Sequence, residues 1–517
     1  MDLWPSEASL LDQVRAGKSW ATPDGREPKS SDEVPRSEDD PAVRIRGTVL
    51  AKILLGRFKQ CKHSARGLHI AGYWIEGGLD LSHVHSLTGD QGRAAALLVA
   101  WKCRFDGIID YSFSRVSGAI VQASTLGGLI ARGADIDIGM SLVGCLLDPA
   151  FATLASSAPL RRGSDGATQT LPAVRLDLDG CRLGGDLDLS GLRLPHDTSP
   201  QGAEVEIDAD NALVRGSVKL NAECSSQISA GMDGRVPALY ANFDNADIFG
   251  DFIADGARFV APFGRSGQGP AECLDLRGAT VRGDVSLKYI RTLGTVRFED
   301  ADIAQDLDLG GACLVEPRGV AFEAQALVVH GSVHLVDRQG AAREGVPPAD
   351  PRLLAYGQLR FARARIDGDL DGSGATVCAV DVSIEGVAID LRSAELGGSV
   401  YLDARRDVGP GFFVGLINML QIRVRGSIVF AGSWFRAPCG QMMAPERIDS
   451  EIYAENEMLH ELNKSEIAYR DLRSRHFTIA DIYYGYENGF WQTSGGWPAW
   501  TGDAHRTMAS ESALNGS

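Results

Sequence analysis

A seven-residue pattern of apolar and small residues returns along this chain. It consists of an apolar residue, any residue, glycine, a small or acidic residue, and then apolar, any, apolar, as in Leu-Gly-Gly-Asp-Leu-Asp-Leu at residues 183–189. Further copies start at 75, 214, 248, 281, 303, 329, 366, 396 and 424, although Gln305 replaces the glycine in one copy and Gly372 ends another. Because apolar positions alternate with a period of two, the pattern predicts a β-strand for each copy.

The spacing of the copies predicts how the strands are arranged. From position 183 to position 424 the copies return with an irregular period of about 30 residues. Self-similarity at this period is typical of a solenoid, and strand-like units indicate a parallel β-helix. The shortest spacing, from 281 to 303, then gives the size of one coil, and longer spacings contain surface insertions such as residues 161–170 and 337–352.

Stacking of coils explains which residues the pattern contains. Equivalent side chains of neighbouring coils lie about 4.8 Å apart, so inward positions must form apolar ladders. Cysteines recur at similar spacing without a CxxC motif or histidine-rich neighbours, and we expect them to be small apolar fillers of an inward ladder. We expect positive φ and a turn between faces at the glycines of the pattern: Gly185, Gly216, Gly283, Gly331 and Gly398.

The two ends of the chain have a different periodicity. Residues 6–16 have apolar residues at helical spacing, a polar linker covers 19–41, and residues 45–55 predict a second helix that ends at Gly56. We therefore expect N-terminal helices and linker over 1–56, the β-helix over 57–440, a helical hairpin over 441–493 and a flexible tail over 494–517. The helical parts would cover the open coils, whose unpaired edges otherwise promote aggregation.

The predicted C-terminal hairpin has the densest set of polar and aromatic side chains in the chain. Its two helices are predicted over residues 461–475 and 478–491. The candidates for a general acid or base are Asp471, His476, Asp481 and Tyr484, because a histidine beside carboxylates titrates near neutral pH. The alternative is a structural cap that packs its tyrosines on the last coil and keeps its charges in water.

The charge of the chain bears on its partners. The net charge is −17, and aspartates recur within the pattern at Asp80, Asp186, Asp188, Asp284, Asp306, Asp308, Asp369 and Asp371. Stacked carboxylates would repel one another, raise some of their pKa values and attract cations or a basic protein partner. Direct binding to nucleic acid is not expected because the charge has the wrong sign. The alternative role of these aspartates is solubility.

The sequence has no motif for a cofactor, a metal or a membrane span. It has no dinucleotide-binding Gly-x-Gly-x-x-Gly between a strand and a helix, no Walker loop, no HExxH and no zinc constellation. The N-terminus does not have the pattern of a signal peptide, and the apolar runs are too short to cross a bilayer. Its nine cysteines have no disulfide-framework spacing, so we expect a soluble protein of the reducing cytoplasm without cofactor or metal.

Several segments resemble a known family. The segments are 45–50, 54–56, 67–72, 78–81, 101–105 and 469–472 through 483–485. Together they are similar to actinobacterial pentapeptide-repeat-like proteins, many of which are labelled membrane-associated oxidoreductase. The resemblance implies a right-handed, four-sided β-helix with roughly five residues on each side.

Three functions remain open at this point. The first is a non-catalytic acidic scaffold that binds a protein partner. The second is a cofactor-independent enzyme of the cyclase, isomerase or lyase type, acting on a small apolar metabolite in a groove roofed by the C-terminal helices. The third is the oxidoreductase of the family label, for which the sequence has no cofactor motif.

Overall fold

The computed structural model describes residues 3–30, 33–35, 41–58, 67–84, 97–148, 174–193, 204–221, 238–261, 272–337, 351–379, 387–404, 411–429 and 433–436. Within these ranges the chain has 44 strands and two helices. By its contacts the chain divides into two compact units, Met1–Ser225 with Pro237–Gly250 and Ser226–Val236 with Asp251–Ser517. In each unit short parallel strands stack into long open sheets, which is the arrangement of a β-solenoid and confirms the predicted fold class at this level.

The first unit contributes strands to three sheets. Sheet A contains Leu68–Ala71, Leu97–Trp101, Gly118–Gln122, Met140–Ser141, Leu187–Asp188 and Val218–Lys219. Sheet B contains Arg44–Arg46, Trp74–Glu76, Leu79–Asp80, Arg104–Asp110, Thr125–Ile130, Leu146–Leu147, Val174–Asp177, Glu204–Asp208 and Ala238–Asn242. Sheet C contains Arg115–Val116, Asp135–Ile136, Arg182–Leu183, Leu213–Val214 and Asp247–Ile248.

The second unit has the same three sets of strands. Sheet A contains Phe252–Ile253, Val285–Ser286, Leu307–Asp308, Val333–His334, Leu370–Asp371, Val400–Tyr401 and Ile428–Val429. Sheet B contains Arg258–Val260, Glu272–Asp275, Arg291–Leu293, Thr295–Arg297, Cys313–Glu323, Leu354–Arg360, Thr376–Cys378, Val387–Asp390, Phe412–Val414, Leu416–Asn418 and Trp434–Arg436. Sheet C contains Thr280–Val281, Asp302–Ile303, Val328–Val329, Arg365–Ile366, Glu395–Leu396 and Arg423–Val424.

The register of the strands confirms the spacing of the sequence pattern. In the first unit Leu183 pairs with Val214 and Val214 with Ile248, and these are the first residues of three successive copies. In the second unit the first residues of the copies pair in the same way, in the order Val281, Ile303, Val329, Ile366, Leu396 and Val424. The smallest coil is shorter than predicted, since Arg115 pairs with Asp135 and this step is smaller than the one from 281 to 303.

The prediction of one strand per copy is wrong. A copy begins at the end of a sheet C strand, turns a corner at its glycine and continues as a sheet A strand, as Arg182–Leu183 and Leu187–Asp188 do. The first and fifth positions are both apolar because each points into the core from a different sheet. The copy at 75 lies elsewhere in its coil, because both of its strands, Trp74–Glu76 and Leu79–Asp80, belong to sheet B.

The glycines of the pattern have a different role from the one predicted. None of the five predicted positions has positive φ. At Gly185 a Cβ atom would lie 1.8 Å from the Ile138 carbonyl oxygen, and at Gly398 it would lie 2.2 Å from Asp369 Oδ1. These glycines therefore permit close approach between coils, while positive φ occurs at other corners, such as Gly180 and Gly278.

Two helices precede the first complete coil. The predicted first helix is confirmed as α1, Pro5–Arg15, one residue earlier than predicted at each end, and it buries Leu10 and Leu11. Helix α2 is Gly47–Leu54 and ends with positive φ at Gly56, so the predicted glycine C-cap is confirmed. Its predicted start is too early, because Arg44–Arg46 is a strand paired with Trp74–Glu76. No helix in the described ranges is both long and apolar enough to cross a membrane.

Candidate interaction surface

The outer surface of sheet C carries paired charges. In the first unit Arg115 lies 3.6 Å from Asp135 of the next coil. In the second unit Arg423 lies 2.8 Å from Glu395, and His330 lies within 3.2 Å of both Asp302 and Asp367. Opposite charges in neighbouring coils alternate here, so this surface is that of a solvated sheet.

The aspartates at the fourth position of the sequence pattern form a ladder at the corner between sheets C and A. Asp186 accepts a hydrogen bond of 2.9 Å from the Ser217 backbone N–H in the next coil. This bond is the main reason that the pKa of Asp186 is lowered, so Asp186 is not one of the carboxylates whose pKa is raised by repulsion. In the second unit the same bond recurs from coil to coil, and its acceptors are Asp251, Asp284, Asp306, Ser332, Asp369 and Ser399.

A polar cluster occupies the outer surface of sheet A in the second unit. Asp308, His334 and Asp371 are register partners in three successive coils, and Lys288 Nζ lies 2.9 Å from Asp308 Oδ2. Burial raises the pKa of Asp308, although hydrogen bonds from the Gly310 N–H and Lys288 oppose this effect. No group of three or more His, Cys, Asp or Glu in the part of the chain that the structure describes is arranged to hold a metal ion.

One column of sheet B strands in the second unit has an apolar outer surface. It consists of Arg258–Val260, Arg291–Leu293, residues 313–315, residues 354–356, Thr376–Cys378 and Phe412–Val414. In these segments the middle side chain points inward and the flanking side chains point outward. We call the outward apolar positions the outer stripe: Val260, Leu293, Cys313, Val315, Leu354, Tyr356, Cys378, Phe412 and Val414.

The outer stripe is continuous because its residues are register partners. Val260, Leu293, Val315, Tyr356, Cys378 and Val414 follow one another, one per coil. Cys313, Leu354 and Phe412 lie in the neighbouring column, where Thr376 interrupts the apolar residues and Arg258 and Arg291 lie at one end.

The centre of the outer stripe is buried. The residues Cys313, Val315, Leu354 and Tyr356 pack into a hydrophobic cluster of their own, with exposures of only 3 to 8%. Leu293 and Cys378 pack against this cluster. Burial raises the pKa of the Cys378 thiol to about 12 and the pKa of Tyr356 well above its usual value. The outer stripe therefore behaves as a covered apolar face, in contrast to the outer surface of sheet C.

The equivalent strands of the first unit are polar on their outer surface. Arg44 lies 2.7 Å from Glu76, and the Arg104 guanidinium stacks over the Trp74 ring at 3.9 Å. Trp74 Nε1 donates a hydrogen bond to Asp106. The apolar stripe is thus a property of the second unit and not a requirement of the coil.

The predicted catalytic residues cannot be compared with this surface. Asp471, His476, Asp481 and Tyr484 all lie outside the described residues, as does the predicted helical hairpin. Six of the cysteines are described as buried or half-buried thiols without disulfides. Cys103, Cys145 and Cys181 point into the core as predicted, whereas Cys313 and Cys378 belong to the outer stripe.

The outer stripe was missed because its signal depends on register. Val315 and Tyr356 are far apart in sequence, and irregular coil lengths hide the fact that they are neighbours. The available signal was an unbroken apolar run, such as Cys-Leu-Val at 313–315, where a solvated strand would alternate apolar and polar residues. A comparison of the chain with models of protein families, with curated proteins and with solved structures finds no match in any of the three.

Proposed function

We propose that the protein is an acidic β-helix scaffold that binds a protein partner through the outer stripe of sheet B. The observation that carries this proposal is the continuous apolar column on the outside of a parallel sheet. Helices usually cover the apolar faces of parallel sheets, and the half-buried Cys378, Phe412 and Val414 leave apolar surface beside the buried centre of the stripe for a partner. The second unit therefore offers a helix-in-groove surface rather than a solvated one.

The proposed scaffold is a right-handed, four-sided β-helix. The short coil from Arg115 to Asp135 has room for four sides of about five residues each. A coil in the second unit visits sheet C at Thr280–Val281, sheet A at Val285–Ser286, and sheet B twice, at Arg291–Leu293 and Thr295–Arg297. In this proposal α1 and α2 cover one end and the predicted hairpin of residues 441–493 covers the other.

The chemistry of the surface indicates what kind of partner it would bind. The partner needs an apolar ridge that matches side chains spaced about 4.8 Å apart along the column, which an amphipathic helix supplies. The net charge of −17 favours a partner with basic flanks and makes association faster at low salt.

Site-specific photo-crosslinking in cell extract tests this function. A photoreactive phenylalanine analogue replaces the half-buried Phe412 in the outer stripe, and a matched variant carries it at Arg365 on the charged surface of sheet C. We expect one protein to be crosslinked from position 412 and not from 365. The purified partner should then bind the scaffold, and Val414→Asp should weaken binding at least tenfold because it places a charge in the apolar column.

Two results would contradict the proposal. One is equal crosslinking from both positions, which would indicate non-specific contact. The other is binding of the purified partner that is unchanged by Val414→Asp while the folded state of the variant, checked by circular dichroism, is intact. Selective stabilisation of the protein by a small apolar metabolite, lost in His476→Ala, would instead support the enzyme hypothesis.

A further inference from the structure

We propose that two copies of this chain associate through the outer surface of sheet C in the second unit. The interface is centred on three successive coils, whose sheet C strands carry Asp302, Val328 and Arg365 in register. This inference goes beyond the scaffold function, because it concerns a different sheet from the one that carries the outer stripe.

The charge of this surface changes from acidic to basic over the three coils. Ile303, Val329 and Ile366 point into the core, so the residues that alternate with them point outward. We call these outward residues the sheet C patch: Asp300 and Asp302 in the first coil, Ala326 and Val328 in the second, and Arg363 and Arg365 in the third. The four charged residues of the patch are exposed, and the two apolar residues are half-buried.

Two charged side chains of the sheet C patch have no ion-pair partner within the part of the chain that the structure describes. They are Asp300 and Arg363, which occupy equivalent corner positions with φ of 57° and 60°. Arg365 differs from them, because its Nε lies 2.9 Å from Asp367 Oδ1 of the same coil. An exposed charge without a partner can form an ion pair with a second molecule at little cost in desolvation.

The sheet C patch is complementary to itself about a twofold axis at Val328. When two patches face each other with antiparallel stacks and the axis runs along the Val328 strand, Asp302 of each copy lies opposite Arg365 of the other. Asp300 then lies opposite Arg363, so each pair of opposite charges occurs twice. Parallel stacks would place Asp302 opposite Asp302 and are disfavoured. Charge complementarity therefore selects a second copy as the partner and the antiparallel arrangement as its orientation.

The size of the sheet C patch predicts a weak, reversible dimer. At the axis Ala326 and Val328 each meet their own equivalents, and His330 of the same coil is directed to carboxylates of its own chain. Five coils, from Thr280 to Glu395, at 4.8 Å each and with a side about 16 Å wide, would bury about 800 Å² over both copies. Stable complexes usually bury at least about 1,200 Å².

Sedimentation velocity of the full-length protein over a range of concentrations measures this association. At about 0.15 M salt, repulsion between two chains of net charge −17 is screened beyond about 8 Å, while ion pairs in contact persist. We expect a monomer–dimer equilibrium that Arg363→Glu weakens at least tenfold, because it places like charges opposite each other twice. The matched variant Arg115→Glu makes the same charge change on sheet C of the first unit and should change the equilibrium less than about twofold.

A charge exchange distinguishes pairing between two copies from an effect on the single chain. Asp300→Arg alone should also weaken the dimer, because the new charge faces Arg363. An equimolar mixture of Asp300→Arg and Arg363→Glu should associate at least tenfold more tightly than either variant alone, since both pairings across the axis then join opposite charges. A mixture that associates no more tightly than its components would overturn the proposal, as would a parent protein that stays monomeric at every concentration.

A crosslink at the twofold axis tests the location of the interface without changing its charges. In Val328→Cys the thiols of two copies lie opposite each other, so a short bis-maleimide should join two peptides that both contain position 328, as identified by mass spectrometry. The matched variant Arg115→Cys should give no such product. A dimer that is not crosslinked at position 328 would use another surface and contradict the proposal. These outcomes are independent of crosslinking from Phe412, which reports on the outer stripe of sheet B.

Discussion

At the scale of single residues, glycine has two separate tasks in this protein. At the corner between sheets C and A it lets neighbouring backbones approach, and at other corners it adopts positive φ. Other residue types also occur at positive φ, for example Asn211, Asp300 and Arg363. No other residue can perform the first task, because its Cβ atom would collide with the neighbouring coil. At the positive-φ corners glycine only lowers the conformational strain, and other residues can take its place.

Two neighbouring glycines, Gly180 and Gly184, test this distinction. A Cβ atom at Gly184 would lie 1.9 Å from the Asp137 carbonyl oxygen, while nothing lies within 4 Å of one at Gly180, whose φ is +62°. We expect Gly184→Ala to destabilise by about 3 kcal/mol because coils must separate, and Gly180→Ala by about 1 kcal/mol through backbone strain alone. Urea unfolding of both variants measures the difference, and equal midpoints would contradict it.

The N-terminal helix is held by one buried carboxylate. Glu7 is fully buried and accepts hydrogen bonds from the Arg46 guanidinium and from the Trp4 and Arg46 N–H groups. Burial acts to raise the pKa of Glu7, but these hydrogen bonds and the Arg46 charge outweigh it and leave the pKa below its usual 4.5. A lowered pKa in the folded state means that the carboxylate stabilises the fold above the unfolded pKa and stops doing so as the pH falls.

We therefore expect Glu7→Gln to lower the free energy of unfolding by about 2 kcal/mol at pH 7. The difference from the parent protein should be constant above about pH 5 and shrink as the pH falls through the folded pKa of Glu7. Urea titrations at several pH values measure it. A difference that grows towards acidic pH would show that the sign is wrong.

At the scale of elements, the corner ladder joins each coil to the next. Its acceptors are either carboxylates or hydroxyls, since Ser332 Oγ accepts from the Asp369 N–H and Ser399 Oγ accepts from the Ser427 N–H. The common requirement is therefore a short side chain with an acceptor oxygen, and not a negative charge. The role of the aspartates in this ladder is therefore to bond one coil to the next, and an acidic binding surface is not needed to explain them.

Substitution of Asp369 separates these two roles. Asp369 Oδ1 accepts a hydrogen bond of 2.7 Å from the Ser399 N–H. We expect Asp369→Ala to destabilise by about 1 kcal/mol because this N–H loses its partner, and Asp369→Ser to stay within about 0.5 kcal/mol. Thermal or urea unfolding distinguishes the two. A serine variant that is as unstable as the alanine variant would mean that the negative charge of Asp369, and not its hydrogen bond to the Ser399 N–H, stabilises the fold.

Strand pairing was the most predictable feature at this scale. The pattern starting at Val281, Ile303 and Val329 predicts its own register, because equivalent apolar residues of successive coils must stack. The strand bounds were not predictable in the same way. The corner between sheets C and A has no positive-φ glycine, so the alternation of apolar residues continues across it and does not show where one strand ends and the next begins. The outer stripe needed the register of long coils, which sequence spacing alone does not provide.

At the scale of the whole molecule, the inward thiols should respond only to opening of the coils. Burial raises the pKa of Cys103, Cys145 and Cys181 to about 12, so about one thiol in 10⁴ is ionised at pH 8 even when it is reached. We expect their labelling at pH 8 to be at least a hundredfold slower than in urea-unfolded protein. Labelling at the unfolded rate under native conditions would contradict a packed core at these positions.

The polarity of the corner ladder has a consequence for how the protein is made. In the rungs of the second unit from Asp251 to Ser427, the acceptor lies in the earlier coil and the donor N–H in the later one. During synthesis each emerging coil therefore meets a finished template that already presents its oxygen atoms. A stack with this direction is suited to growth from the ribosome one coil at a time, in the order of translation.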